Sequence, residues 1–318
     1  MAITSKVLVT GGAGFIGSNL ADELIRQGAK VAIIDNLVTG FRENLEEIRG
    51  DFDFIEGDLN DPISLAKALE NVEIVFHEAA LPSVPRSVAD PAETHQACVN
   101  ATFDLLVKAK GSGVRRFIYA ASSSAYGDQE TLPKVETMSP SPMSPYAVAK
   151  LTGEYYCSVF HHVYGLETMS LRYFNVFGPR QNPSSQYSGV ISRFIDALMT
   201  GGQPVIYGDG EQTRDFTFIA NVTDANIKAA QTDRGFGQTA NVANGERISL
   251  NKLFEVMKHV TGKGSADAIY EAERKGDVKH SQADNTRARE WFGYEKLIGL
   301  EDGIRQTIEW WRTSRFAR

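Results

Sequence analysis

The first half of the chain alternates short segments rich in β-branched residues with longer segments of helical pattern. Lys6–Thr10, with the sequence KVLVT, is the first β-branched segment, and residues 15–27 follow it as the first predicted helix, with Gly28 as its stop signal. Further strands are predicted at 31–35, 52–55, 73–77, 116–121 and Glu167–Tyr173, and further helices at 63–69, 92–110 and 146–164. Because each helix can cover one face of a sheet, this alternation predicts an α/β fold built on a doubly wound parallel sheet.

The second half of the chain is less regular and predicts a smaller substrate domain of mixed α/β structure. Short strands are expected at 204–207 and 239–242, and helices at 191–200, 221–231, 250–260, Thr286–Phe292 and 301–312. The segment 133–145 is rich in proline and serine and is predicted to be an exposed loop. We therefore divide the chain into a first domain of residues 1–178, to which residues 215–243 are expected to return, and a second domain of residues 179–318.

Composition and charge exclude several classes of partner. The 318 residues carry a formal net charge of −7 and are 42% apolar, so the chain can bury a large core and lacks the basic balance typical of nucleic-acid-binding proteins. The two cysteines, Cys98 and Cys157, show no metal-ligand spacing, which predicts reduced thiols and no metal site. The sequence shows neither a signal-peptide pattern nor an apolar run of ~18 residues, so we expect a cytoplasmic protein without a membrane span.

A glycine-rich turn, GGAGFIG at residues 11–17, joins the first predicted strand to the first predicted helix. In a dinucleotide-binding turn, Gly11 allows the tight bend, Gly14 the close approach of a pyrophosphate and Gly17 the close packing of helix on sheet. The N-terminus of the helix offers unpaired N–H groups to the phosphates. Asp35 ends the second strand, where its carboxylate can accept hydrogen bonds from a ribose diol and repel a 2′-phosphate, which favours NAD over NADP. The alternative is a plain turn in which Asp35 only caps the strand, but the features together favour a Rossmann-type NAD site.

Tyr146 and Lys150 lie four residues apart on a predicted helix and therefore share one face. An ammonium group beside a phenol stabilises the phenolate, and a tyrosine base needs this help because the ordinary pKa of its phenol is about 10. The pair alone is a weak signal, but Ser122–Ser124 follow the fifth predicted strand at the carboxyl edge of the sheet, where ligands bind in such folds. A serine there can bridge a substrate hydroxyl and the phenolate, whereas the alternative for these serines is ordinary turn chemistry.

Taken together, these motifs resemble the extended short-chain dehydrogenase/reductase family over nearly the full length of the chain. Within that family the chain is most similar to the nucleotide-sugar 4-epimerases, on the segments LRYFNVFG (171–178), VIYGDG (205–210), TRDF (213–216) and GDV (276–278). The resemblance implies NAD as cofactor, a UDP-sugar as substrate, and a homodimer formed by the two long helices 92–110 and 146–164 of each subunit. Packing of these helices within the monomer is the alternative.

The resemblance also implies roles for individual residues. Tyr146 would be the base, Lys150 its partner and a ligand of the nicotinamide ribose, and Ser122 the catalytic serine, with Ser124 as a second candidate. Besides these, the cofactor would contact Gly11, Gly14, Phe15, Ile16, Gly17, Asp35, Asn36, Asp58, Leu59, Ala79, Ala80, Asn100 and Tyr173. The substrate would contact Ser83, Arg86, Ser122, Ser123, Tyr146, Asn175, Val190, Val205, Tyr207, Arg214, Arg274, Asp277 and Ser281.

Among the substrate residues, Asn175 and Arg214 resemble ligands of the diphosphate, and Tyr207 would lie beside the uracil. Arg274 and Asp277 resemble positions that grip phosphate and the uridine ribose. Arginine suits phosphate because its planar fork bonds two oxygens at once. Surface ion pairing is the alternative for both arginines.

Ser281 bears on the choice of sugar, because glucose-restricted epimerases of the family carry a bulky tyrosine at this position. A small side chain leaves room for an N-acetyl group, and residues 81–87 and 180–183 also resemble the N-acetylhexosamine epimerases. We therefore expect UDP-GlcNAc and UDP-GalNAc as substrates, together with UDP-Glc and UDP-Gal as a second pair. The alternative is that Ser281 is an uninformative loop residue.

Two rival functions share the fold. A UDP-glucuronate 4-epimerase or decarboxylase needs a cation facing C6 of the sugar, for which Arg180 or Arg86 could be recruited. A 4,6-dehydratase is disfavoured, because that group has an Asp-Glu pair just after the catalytic Ser/Thr and this chain has Ser123 and Ser124. A non-catalytic NAD-binding protein is also disfavoured, since such relatives usually lose the tyrosine or the lysine.

Overall fold

The computed structural model describes residues 3–183, 189–273 and 278–317. Its centre is a sheet of seven strands in the order β11-β6-β5-β4-β1-β2-β3, and every neighbouring pair is parallel. These strands are β1 Lys6–Thr10, β2 Lys30–Asp35, β3 Phe52–Glu56, β4 Ile74–His77, β5 Arg116–Ser122, β6 Glu167–Tyr173 and β11 Gln238–Val242. The sheet confirms the predicted Rossmann-type α/β fold.

The helices that surround this sheet come mostly from the first half of the chain. They are α1 Phe15–Arg26, α2 Arg42–Glu46, α3 Pro62–Ala68, α4 Val84–Ala89, α5 Pro91–His95, α6 Ala101–Gly111, α7 Pro145–Tyr164 and, from the second half, α9 Ile219–Gln231. Side chains of the central strands alternate between two cores, as a sheet covered on both faces requires. Val7 and Val9 of β1 lie in the core that α1 and α9 complete, whereas Leu8 lies in the core completed by α3, α6 and α7.

The strand order places a switch point between β1 and β4. From β1 the chain winds outward to β2 and β3, then crosses back to β4 and winds the other way through β5 and β6. Ligands of open α/β sheets bind in the crevice beside the carboxyl ends of the strands at such a point. Thr10 at the end of β1 pairs in register with Ile34 on one side and with His77 on the other, so three strand ends meet at this edge.

The remaining elements form a smaller mixed α/β layer. Its strands pair two by two: β7 Val176–Phe177 with β10 Thr217–Phe218, β9 Thr213–Arg214 with β12 Ile248–Ser249, and β8 Val205–Tyr207 with β13 Ile269–Glu271. Its helices are α8 Val190–Thr200, α10 Leu250–Thr261, α11 Thr286–Phe292 and α12 Leu300–Thr313. The strand β11 at 238–242 extends the central sheet beyond β6, while the division of the chain into residues 1–178, 215–243 and 179–318 stays a prediction.

Two sequence predictions differ from the structure. The helix expected at 92–110 is divided into α5 and α6 by one π-helical turn, Gln96–Asn100. The loop at 133–145 is not wholly exposed, because Lys134 is 2% exposed and its backbone pairs with residues 282–284 through Lys134 N to Gln282 O (2.7 Å) and Asp284 N to Lys134 O (3.0 Å). Across the described parts of the chain, each helix is too short or too polar to span a membrane.

Candidate active site

A cavity of about 710 Å³ opens at the carboxyl edge of the sheet, at the switch point. It extends from the glycine turn past the ends of β2 and β4 to the serine turn after β5 and the first turns of α7. Its wall includes these predicted cofactor residues: Gly11, Gly14, Phe15, Ile16, Gly17, Asp35, Asn36, Asp58, Leu59, Ala79, Ala80, Tyr146, Lys150 and Tyr173. Asn100 lies outside this wall, in the π-helical turn, where its side-chain amide donates to Gln96 Oε1 at 2.6 Å.

The glycine turn is packed too tightly for side chains. Gly11 has φ +66°, and a Cβ on it would lie 2.7 Å from Ala79 Cα. A Cβ on Gly17 would lie 2.3 Å from the carbonyl oxygen of Gly11. Glycine therefore keeps the backbone against β4 and leaves the N-terminus of α1 open to the cavity, which is the arrangement that phosphate binding needs.

Asp35 connects the end of β2 to this turn. Its carboxylate accepts from Ala13 N at 2.9 Å and from Leu37 N at 2.8 Å, and burial raises its pKa although both hydrogen bonds lower it. The contact with Leu37 is the capping role that the sequence left open as an alternative. A carboxylate oxygen has more than one lone pair, so these bonds leave Asp35 able to accept from a ribose at the cavity wall.

The acidic group farther along the wall is Asp58, which accepts a hydrogen bond from Asn36 Nδ2 at 2.7 Å and from Asn60 N at 2.8 Å. Burial raises the pKa of Asp58, but these hydrogen bonds outweigh it and the net pKa lies below the usual range. Asp58 is therefore a carboxylate at neutral pH. Two fixed acceptors, Asp35 and Asp58, thus lie at the end of the cavity away from Tyr146.

Ser122, Tyr146 and Lys150 meet at the other end of the cavity. Helix α7 begins at Pro145 behind an N-cap by Ser144, whose Oγ accepts from Ala147 N at 3.2 Å. This cap places Tyr146 in the first turn, and its hydroxyl is hydrogen-bonded with Ser122. Ser124 donates its hydroxyl to Ser122 Oγ at 2.8 Å, so Ser124 supports Ser122.

Burial dominates the electrostatics of the Tyr146–Lys150 pair. The Lys150 ammonium is 3% exposed, donates to Ala120 O at 2.8 Å and lies 5.0 Å from the ring centre of Tyr119. Burial raises the pKa of Tyr146 well above its ordinary value, the neighbouring Cys98 adds to this, and the hydrogen bond with Ser122 only partly opposes it. Among the chain's own groups desolvation therefore dominates the pKa of Tyr146, and the help of Lys150 to the phenolate stays a prediction.

Sequence reasoning missed Glu78, which follows β4 and lines the same cavity. Glu78 Oε1 accepts from the Tyr173 hydroxyl at 2.8 Å, and burial raises the pKa of this carboxyl to about 7. The residue directly follows a strand that ends at the ligand-binding edge, next to Ala79 and Ala80. That position could have indicated a site residue, but none of the sequence motifs includes this glutamate.

A smaller cavity of about 200 Å³ adjoins the first and shares Asn175, Val176 and Gln181 with it. Five predicted substrate residues line this smaller cavity: Asn175, Val190, Val205, Tyr207 and Arg214. Ser83, Arg86 and Ser123 line the larger cavity instead. Ser281 is not among the lining residues of either cavity; its Oγ accepts from Asn175 Nδ2, whose residue lines both, and from Asp215 N, both at 3.3 Å. Arg274 and Asp277 lie outside the described residues.

The arginines proposed for the glucuronate rival are engaged elsewhere. Arg180 is 7% exposed and donates to Ser18 O at 2.7 Å and to Glu47 O at 2.9 Å, so it ties its loop to α1 and α2. Its recruitment toward a sugar carboxylate is contradicted by this burial. Arg86 forms an ion pair with Glu93 at 2.5 Å. Arg214, the candidate ligand of the diphosphate, donates to Thr213 O at 3.0 Å.

Comparison with known proteins agrees with this geometry. The model of the NAD dependent epimerase/dehydratase family matches residues 7–243. The chain belongs to this family. NAD is therefore its cofactor. The glycine turn fits that group, because no side chain at position 11 or 17 blocks the approach of the phosphates to the backbone.

Several family members with assigned activities cover almost the whole chain. The UDP-N-acetylglucosamine 4-epimerase of Methanobrevibacter ruminantium, solved with UDP-N-acetylmuramic acid, is 41% identical with a TM-score of 0.93 and covers 98% of this chain and 99% of its own. The Thermotoga maritima UDP-glucose 4-epimerase, solved with UDP-glucose, is 38% identical with a TM-score of 0.92 over 97% and 99%. The UDP-glucose 4-epimerase of Mycolicibacterium smegmatis is 37% identical over 96% of this chain and 98% of its own. The resemblance to extended short-chain dehydrogenases/reductases is thus confirmed.

Proposed function

We propose that this chain is a UDP-sugar 4-epimerase that works through a transient 4-keto sugar. The observation that carries the proposal is that Tyr146, Ser122 and Lys150 end in the cavity that the glycine turn also lines. A phenol, a hydroxyl and an ammonium group are thereby fixed within one site beside the dinucleotide. The relatives named above with assigned sugars give the substrate class.

In this mechanism the Tyr146 phenolate accepts the proton of the sugar 4-OH, and Ser122 hydrogen-bonds the same oxygen. Bound at the glycine turn, NAD+ would supply the acceptor for the C4 hydride and its donor on return. The C4–H and O–H bonds break as the carbonyl forms, and after the keto sugar turns, hydride returns to its opposite face while Tyr146 gives back the proton. The oxidation and the reduction balance, so no net redox change occurs.

Burial of Tyr146 makes a second cation necessary for the base. Lys150 is held by Ala120 O, and the chain's own groups leave the pKa of Tyr146 raised. A positive charge close to the phenolate favours its formation, more so in a site without water. The oxidised nicotinamide ring carries such a charge, so Tyr146 is expected to become an effective base only in the NAD+ complex.

We assign the uridine diphosphate to the smaller cavity and its junction with the larger one. Asn175 lines both cavities, whereas Tyr207 and Arg214 line the smaller one. An aromatic ring, an amide and a guanidinium suit a base, a ribose and a diphosphate. Gripping the nucleotide there leaves the hexose free to turn in the larger cavity.

For the sugar, we propose UDP-GlcNAc and UDP-GalNAc, with UDP-Glc and UDP-Gal as a second pair. The support is the small Ser281 side chain behind Asn175, a residue that lines both cavities and donates to Ser281 Oγ at 3.3 Å. The burial of Arg180 and the ion pair of Arg86 argue against a carboxylated sugar, because Arg180 lines neither cavity and Arg86, which lines the larger one, is paired with Glu93.

The experiment is incubation with a panel of UDP-sugars, with the epimers resolved by NMR. Tyr146→Phe should lower turnover by at least ~100-fold, since general base catalysis contributes about that much. Tyr155→Phe is the matched control, because Tyr155 lies on the same helix and is 58% exposed. Unchanged turnover in Tyr146→Phe refutes the catalytic assignment.

Ser281→Tyr tests the sugar, with Ser281→Ala as its control. A tyrosine should abolish turnover of the acetylated pair and spare the other, because its ring fills the space that the acetyl group needs. The substrate proposal fails if only UDP-Glc and UDP-Gal react and Ser281→Tyr leaves that profile unchanged.

We further propose a homodimer through α6 and α7. These two helices expose a group of apolar side chains to solvent that a second copy would cover: Phe103, Val107, Val148, Tyr155, Val159, Val163 and Tyr164. Contiguous apolar patches of this kind mark interaction surfaces. Light scattering should give twice the subunit mass, and Val159→Glu should give a monomer. A monomeric parent protein refutes this proposal.

A further inference from the structure

Glu78 is a buried ionisable residue of the cavity to which neither the proposed mechanism nor the predicted cofactor contacts assign a role. Its Oε1 accepts from the Tyr173 hydroxyl, which also accepts from Asn226 Nδ2 at 2.8 Å. Its Oε2 is buried and has no hydrogen-bond partner among the residues that the structure describes. Tyr173 of β6, itself held by Asn226 of α9, thus binds one oxygen of the carboxyl group, while the other is buried without a hydrogen-bond partner in the described part of the chain.

The charged neighbours of Glu78 are the catalytic pair itself. Lys150 lowers the pKa of Glu78, and Glu78 in turn raises the pKa of Lys150 and of Tyr146. The third titratable neighbour, Tyr173, only donates its hydroxyl to the carboxyl, because burial raises its own pKa well above the ordinary value. Cys98, in the π-helical turn, lies against the same pair and acts in the same direction as Glu78.

His77 precedes Glu78 in the chain but does not share its environment. Its ring nitrogens form hydrogen bonds with Thr10 Oγ1 at 2.7 Å and with Thr102 Oγ1 at 2.9 Å, in the buried interior of the protein. Burial lowers the pKa of His77 to about 3, so the imidazole is neutral in the working range. The charge near the base is therefore set by Lys150 and Glu78.

We propose that Glu78 is a positioning residue whose charge controls how readily Tyr146 loses its proton. The proposal deepens the epimerase function and rests on it, because it makes Glu78 a second ionisable group behind the base. When Glu78 is a carboxylate it compensates Lys150 and opposes a second negative charge on Tyr146. When Glu78 is protonated, Lys150 is uncompensated and the phenolate forms more easily.

The direction of the effect follows from these signs. The carboxyl pKa is raised to about 7 by burial, so Glu78 changes charge close to neutral pH. Raising the pH ionises Glu78, and that charge raises the pKa of Tyr146 just as the base should ionise. Two such coupled groups titrate as a pair, not as independent sites. Removing the charge should therefore move ionisation of Tyr146 to lower pH.

The test is a pH titration of the NAD+-loaded full chain, followed by the near-ultraviolet absorbance of phenolate. Subtracting the same titration of Tyr146→Phe isolates Tyr146 from the other tyrosines. Glu78→Gln, which keeps the shape and removes the charge, should lower the midpoint by about one pH unit. Glu78→Asp keeps the charge and should stay close to the parent protein.

Glu136→Gln is the matched control, since it removes another buried carboxyl whose pKa is also raised by burial but which does not line the cavity, and it should not move the midpoint. Tyr173→Phe gives a second route, because it leaves Glu78 in place and removes only the hydroxyl that hydrogen-bonds it. The carboxyl then holds its proton to higher pH, and the midpoint should fall by less than in Glu78→Gln. This variant decides the matter if Glu78→Gln does not fold.

A midpoint that stays unchanged or rises in the folded, NAD+-bound Glu78→Gln and Tyr173→Phe variants overturns the proposal. With a UDP-sugar that turns over, the acid limb of kcat should move to lower pH by the same amount as the phenolate midpoint. If no sugar of the panel is epimerised, the proposed function fails, while the absorbance titration still gives its own answer on Glu78.

Discussion

Replacing Gly17 by alanine should destabilise the protein, although alanine favours helices more than glycine does. The new Cβ would lie 2.3 Å from Gly11 O and 2.8 Å from Gly12 Cα, and neither backbone atom can rotate away. Gly11 cannot retreat, because it is itself packed against Ala79, two residues after β4, and holds φ +66°. The helix must therefore move away from the sheet.

The magnitude follows from two opposing contributions. Overpacking of a close contact costs roughly 1–3 kcal/mol, and the helix propensity of alanine returns up to about 1 kcal/mol. A net loss of about 1–2 kcal/mol is expected. With a urea dependence of about 3 kcal/mol per molar for a chain of this size, the unfolding midpoint should fall by roughly 0.5 M.

Gly111→Ala is the matched control, since it makes the same substitution at the end of another helix, α6. No described atom lies within 4 Å of its new Cβ, so this variant should be as stable as the parent or up to about 1 kcal/mol more stable. NAD+ affinity, measured by fluorescence titration, should fall in Gly17→Ala alone, because the displaced turn no longer presents its N–H groups. Equal urea midpoints and equal affinities in the two variants would refute the packing argument.

Three other predictions concern buried ionisable groups. In the parent protein Arg172 pairs with the 4%-exposed carboxylate of Glu154 at 2.7 Å. Arg172→Met leaves that buried carboxylate without its cation and should lower the free energy of unfolding by about 3–5 kcal/mol in urea titrations. A loss below about 1 kcal/mol contradicts this. Burial holds the pKa of His77 near 3, against 6.5 when unfolded, so its stabilising effect is complete above pH 6.5 and is lost as pH falls. The free energy of unfolding falls by about 2 kcal/mol from this cause by pH 5. In His77→Gln it should therefore fall less steeply with decreasing pH than in the parent protein, and equal slopes contradict this. Asp35→Asn removes the charge that repels a 2′-phosphate and should raise the NADP+ to NAD+ affinity ratio by about tenfold, unlike Asp53→Asn, an exposed control.

The central sheet was predictable because its inner strands are almost fully buried. Continuous apolar runs between turn residues mark such strands, and Lys6–Thr10 and Glu167–Tyr173 have the predicted bounds. The paired two-residue strands of the smaller layer were not predictable, since two residues show no periodicity. The helix α2 at Arg42–Glu46 was missed because five residues are too few for a helical pattern. Helix ends differed from prediction by one or two residues, as fraying of terminal turns leads us to expect.

The candidate site divides in the same way. The glycine turn and the Tyr146–Lys150 pair are local in sequence, and a strand-turn-helix context or an i,i+4 spacing is enough to find them. Glu78 becomes part of the site only because β4 and β6 end at one edge and bring Tyr173 within 2.8 Å of it. No spacing in the chain encodes that contact, since the two residues are 95 positions apart.

The pKa of Tyr146 shows what a motif leaves out. The spacing gives the right neighbour, Lys150, but the cost of burying a phenolate depends on every group that excludes water from it. In the folded chain that cost wins, and Glu78 and Cys98 add to it. A positive cofactor ring that lowers the pKa of Tyr146 must, by thermodynamic linkage, bind more tightly to the deprotonated chain by the same factor. The same interaction free energy between the nicotinamide and the phenolate therefore activates the base and retains NAD+. An epimerase that returns its hydride in every cycle needs both effects.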